Sequence, residues 1–111
     1  MRLSEIRGDR VFDVLAAVIE PLANIAQDPL FAELTERREC PEGMTPQEFT
    51  LERAKRALPQ LVNGHRRDFV EVLSALEGED PDRYAEELTI PKLIGGVYSI
   101  LTDKELLSFL A

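Results

Sequence analysis

At four places in this chain a short polar residue stands at or just before a proline: Asp28-Pro29, Thr45-Pro46, Asp80-Pro81 and, one residue looser, Thr89-Ile90-Pro91. Each suits the start of an α-helix. The polar side chain accepts a hydrogen bond from an unpaired amide of the first turn. Proline near the first helical position gives up an N–H that would have no intrahelical partner. Punctuation this frequent divides the chain into short helices, and the segments between carry the helical period.

Asp9 is placed to cap a first helix from about Arg10 to Gln27. Its apolar residues Phe12, Leu15, Ile19, Leu22 and Ala26 recur at three- and four-residue steps, and Val11, Val14, Val18 and Ile25 widen that stripe. Pro21 removes one backbone donor, yet the pattern resumes in phase, which predicts one bent helix and not two. Pro29 opens a short helix, Leu30 to about Arg37. Glu39 to Met44, with Cys40, Pro41 and Gly43, reads as the most loop-like and mobile stretch. Thr45 and Glu48 form a capping box. It starts an amphipathic helix with Ala54, Ala57, Leu58, Leu61 and Val62 on its apolar side, bent or shortened by Pro59 and stopped at Asn63-Gly64.

The next helix, His65 to Glu77, carries Phe69, Val70, Val72, Leu73 and Leu76, and Gly78 ends it. A short helix follows with Tyr84, Ala85 and Leu88. Another runs through Leu93, Ile94, Val97, Ile100 and Leu101, in which Gly95-Gly96 either weakens the helix or lets a neighbouring backbone approach. Thr102 or Asp103 caps the last helix, with Glu105 near its positive end. Alternating β-branched runs and hairpin dipeptides are missing from the sequence. The expectation is an all-α fold: one domain, residues 1–111, built as a compact bundle of six or seven short helices.

Charge narrows the function. The 111 residues hold 21 acidic against 13 basic side chains, a formal charge of -8. Such a chain repels a phosphate backbone, so nucleic acid is not an expected partner. The acids are spread among the helices and read as solvated surface. A single cysteine, Cys40, allows no internal disulfide and fits a reducing, cytoplasmic setting. No apolar run approaches the roughly 20 residues that cross a bilayer, and Met1 to Arg10 lacks the apolar core of a signal peptide, so no membrane is expected.

Catalytic signals are weak. His65 stands at a helix start with no nucleophile beside it and reads as a surface residue. The acidic neighbours Glu39 and Glu42 disfavour a Cys40 thiolate. Glu48 and Glu52 share a helix face without a Glu-x-x-His element to complete a di-metal set. Gly95-Gly96 lacks the spacing and the lysine of a phosphate loop. No enzyme activity, metal or cofactor is expected. Two features point toward protein partners. Arg53, Lys55, Arg56, His65, Arg66 and Arg67 cluster around a helix junction. Either they pair within their helices with Glu48, Glu52, Asp68 and Glu71, or Arg56, Arg66 and Arg67 dock an acidic partner. Leu106, Leu107, Phe109 and Leu110 exceed what one helix face buries. Either the bundle wraps them, or they meet a partner or a second copy of the chain.

Several segments taken together resemble a known family. They are Asp13-Val14-Leu15-Ala16 through Ile19-Glu20-Pro21-Leu22, Arg56-Ala57-Leu58-Pro59-Gln60-Leu61, and His65-Arg66-Arg67-Asp68 leading into Val72-Leu73-Ser74-Ala75-Leu76-Glu77-Gly78, with Leu101-Thr102-Asp103-Lys104-Glu105-Leu106-Leu107 at the end. In order and texture they are similar to the small tail assembly chaperones of long-tailed bacteriophages and prophages, over nearly the whole chain. The resemblance implies a non-enzymatic protein of the host cytoplasm that binds and solubilises the tape-measure protein and helps recruit tail-tube subunits. Outside tail assembly, the same residues fit a small acidic helical module that regulates or inhibits another protein.

Overall fold

The computed structural model describes residues 2–36 and 38–110. Among these it contains a short 3-10 turn, Leu3–Glu5, and seven α-helices, with no strand. The helices are α1 (Arg10–Gln27), α2 (Pro29–Thr35), α3 (Pro46–Gly64), α4 (Arg66–Glu77), α5 (Pro81–Glu87), α6 (Ile90–Leu101) and α7 (Lys104–Leu110). The all-α expectation holds. The expected end of the second helix at Arg37 lies outside the described residues; α2 itself closes at Thr35.

The cap-proline signals act as their chemistry requires. Asp28 accepts from the Leu30 amide at 2.9 Å, Thr45 from Glu48 at 3.1 Å, Asp80 from Arg83 at 3.1 Å and Thr89 from Lys92 at 3.3 Å. The second half of the capping box differs from expectation: the Thr45 hydroxyl lies 3.1 Å from the Glu48 carboxylate and donates to it. Asp9 makes no side-chain cap bond. Its backbone is already helical, and the turn into α1 comes from Gly8 at φ 73, whose carbonyl accepts from Val11. Pro21 and Pro59 interrupt neither α1 nor α3, and α3 runs its full 19 residues to Gly64. Gly78, at φ 72, ends α4 in the left-handed conformation that glycine adopts without strain.

The core sits mainly where α1 packs on α4, with α2 against α3 and the shorter helices closing around them. Val14, Val18, Leu22 and Ile25 of α1 meet Leu61 of α3, Phe69, Val72 and Leu73 of α4, Tyr84 of α5, and Val97 and Ile100 of α6. This corrects the expected face of α1. Phe12, Leu15 and Ile19, placed on the central stripe, are exposed; of the flanking residues Val14, Val18 and Ile25 are buried instead, and Val11 is exposed. On α3 the fully buried pair is Ala57 and Leu61, with Leu58 half-buried beside them. Gly96 faces inward: a Cβ there would lie 2.6 Å from a Leu73 methyl, so glycine makes room for a side chain rather than for a backbone.

The bundle is longer than a ball of its mass. Its radius of gyration is 14.6 Å and its extents are 48 × 28 × 22 Å, against about 13 Å for a typical globule of this length. The chain turns by 85° between α1 and α2. No single helix among the described residues is long and apolar enough to cross a membrane.

Candidate partner-binding groove

The Asp103 carboxylate joins two segments that wall the most distinctive surface feature. Buried to 2 % exposure, it accepts from the Ser4 amide at 3.1 Å with one oxygen and from the Leu106 amide at 3.3 Å with the other. It thereby caps α7 and clasps the N-terminal turn to it. Burial opposes its charge, but the hydrogen bonds from Ser4 and Leu106, with the charge of Arg2 nearby, outweigh that and hold the carboxyl below its ordinary range. Between Thr102 and Asp103, the sequence left the cap open; it is Asp103.

The clasp sets the turn and α7 across from the outer face of α1, and an apolar cavity of about 260 Å³ opens between them. Val11, Leu15 and Ile19 of α1 form its floor with the edges of Val14 and Val18. Leu3 and Ile6 close one side, Leu106, Phe109 and Leu110 the other. Ser4 and Glu105 are its polar members. Of the residues around it Phe109 remains 72 % exposed. A second cavity lies on the opposite side of α7, against α2, where Leu107 and Leu110 face Phe31 and Ala32.

The surplus of the C-terminal helix is therefore divided. Leu106, Leu107 and Leu110 pack partly against the core, and Phe109 points outward. The contribution of α1 to the groove was missed, although its signal was present: apolar residues on α1 also exceed one face.

The basic residues are elsewhere, and most have partners. Arg53 donates to the backbone carbonyls of Glu33 and Glu36, tying off the C-terminal end of α2. Arg56 pairs with Glu33 at 3.4 Å, Lys55 with Glu52 at 3.5 Å, and Arg66 donates to the Asn63 side chain at 3.1 Å. Arg67 bridges Glu71 at 3.2 Å and Asp82 of α5 at 2.9 Å. Pairing is thus partly within helices and partly between them. Arg56, Arg66 and Arg67 line neither apolar cavity.

His65 is not the free surface residue expected. Its side chain is 16 % exposed, with Nδ1 at 3.0 Å from Asp68 and Nε2 at 2.8 Å from Asp28. The hydrogen bond to Asp68, with that to Asp28 and the charge of both carboxylates, raises its pKa against the opposing effect of burial. Asp28 is held low by the Leu30 amide and then by His65. Both ring nitrogens are occupied, so neither is left to take a proton from a nucleophile. Cys40 is exposed, and its thiol donates to the Met44 carbonyl at 3.0 Å. Among the described residues no three His, Cys, Asp or Glu side chains gather as metal ligands do. Compared with known protein families, curated proteins and solved structures, the chain matches none.

Proposed function

We propose that this chain is a non-enzymatic tail assembly chaperone that holds helical segments of a tape-measure protein in the groove between the N-terminal turn, α1 and α7, and helps bring tail-tube subunits to that client. The observation that carries the proposal is the groove itself, apolar and open to solvent on a strongly acidic chain. An amphipathic client helix presents apolar side chains every three or four residues, and a groove of matching length buries them. The exposed stripe from Val11 to Ile19 rises about 12 Å, room for roughly two helical turns. The charge of -8 keeps such a complex dispersed while its apolar surfaces are engaged. The family resemblance supports the same reading from the order of the segments.

The test is to look for a tape-measure gene beside the gene of this chain and to co-express the two proteins, the absence of such a gene counting against the proposal. The expected result is a tape-measure protein that stays in the supernatant and copurifies. Leu15→Asp with Phe109→Asp should abolish copurification and leave the helical circular dichroism unchanged. A wild-type chain that neither solubilises nor binds the tape-measure protein overturns the proposal, and leaves the regulatory or inhibitory module in its place.

A further inference from the structure

The last helix is packed unlike the others. Each residue of α7 lines either the groove toward α1 or the cavity toward α2, and Leu110 lines both. None of them is fully buried, whereas each of the other six described α-helices has at least one residue that is. The two cavities measure about 260 Å³ and about 570 Å³. Protein interiors are close-packed, and side chains beside a void forfeit the dispersion contacts that would fill it. A helix of 7 residues is also too short to hold its conformation without packing. Its attachment is concentrated at its start, in the hydrogen bonds from Ser4 and Leu106 to Asp103.

The surface that α7 lies across is continuous. Leu22 of α1 lines the groove, and Ala26, one turn further along the same helix, lines the second cavity with Phe31 and Ala32 of α2. From Val11 to Ala26 that helix rises about 22 Å, or about four turns, against the roughly two that the groove takes with α7 in place. A single apolar trough is thus divided in two by a helix that is itself amphipathic, the class of segment that such a trough binds.

We propose that α7 is a displaceable lid: an autoinhibitory helix, seated midway along one apolar trough, that swings out about Thr102 and Asp103 and joins the two cavities. Helix α6 ends at Leu101 and α7 begins at Lys104, so two residues link the lid to the bundle. Hinges absorb motion in a few such element-terminal residues. A client helix then takes the place of α7. As an account of how the groove is regulated, the inference rests on the client reading; the opening itself is measured without a client, so the two fail separately.

Amide hydrogen exchange of the full chain, read residue by residue, tests the opening. The amides of Leu107 to Leu110 should be protected about a hundredfold less than those of Val72 and Leu73, through a local opening insensitive to low denaturant. Asp103→Asn weakens the clasp with little change of size. It should speed exchange in α7 several-fold and raise binding of the neutral apolar dye N-phenyl-1-naphthylamine, while α4 stays protected. Leu110→Ala, which leaves the clasp intact, should act in the same direction. Amides in α7 as well protected as those of α4 overturn the proposal. Dye binding that falls when α7 is loosened also overturns it, since α7 would then be a fixed wall of the groove. A trough that opens in a chain unable to bind the tape-measure protein upholds the lid and removes the client reading.

Discussion

His65 is where single side chains weigh most. The ring joins Asp28, the cap of α2, to Asp68 in the first turn of α4, so one imidazolium ties two helix starts together. Its folded pKa is raised, so the stability it contributes is complete below its ordinary value of 6.5 and is lost as pH rises through the raised value. Asp28, held low, contributes stability above its ordinary 3.8, which is lost as pH falls through the lowered value. The bridge is therefore strongest between those two ordinary values. His65→Ala should cost about 1–2 kcal/mol there, the range of a charged hydrogen bond reduced for partial exposure. The penalty should shrink as chemical denaturation is repeated at increasingly alkaline pH. A penalty independent of pH would mean the ring acts by packing alone. The sequence placed His65 at a helix start correctly but hid the bridge, because Asp28 lies 37 residues away and only the fold brings it near.

Gly96 and Leu73 make a second residue-scale pair. Gly96→Ala raises helix propensity yet drives a methyl into a buried leucine, so the net effect should be a loss of about 1–3 kcal/mol, the usual cost of overpacking. Leu73→Ala alone should cost about 2–5 kcal/mol. The double variant should be less destabilised than the sum, because the new methyl occupies part of the space left by the leucine. Additive losses in a thermal-unfolding cycle would separate the two sites.

At the scale of elements, the starts of helices were legible, and so were the buried faces of α3 and α4, but that of α1 was not. A cap and its proline act within four residues, so Asp28, Thr45, Asp80 and Thr89 could be read from neighbours alone. On α1, however, two apolar stripes share one helix, and periodicity cannot say which meets α4. Packing chose Val14, Val18 and Ile25, leaving Leu15 and Ile19 for the groove. The groove wall depends in turn on Asp103. Asp103→Ala removes the cap of α7 and the acceptor of the Ser4 amide together. The expected loss is about 1–3 kcal/mol, with faster hydrogen exchange confined to α7 and the N-terminal turn. Exchange rising equally throughout would show that the clasp supports the whole bundle instead.

Across the whole molecule, helix content, a cysteine without a disulfide partner and a dispersed acidic surface were all available from sequence. What was not available is the surface left over once the helices have settled, and the exposed apolar residues belong to that remainder. The clasp also bears on the order of folding. Ser4 and Asp103 are 99 residues apart in the chain, whereas α2 with α3 and α4 with α5 are neighbours in sequence. Closing the longest loop is entropically the slowest kind of contact to reward. The α1–α4 core can therefore assemble before α7 is held in place, and the groove is the last surface to come into being. On a ribosome, the groove would then take shape only once α7 had emerged.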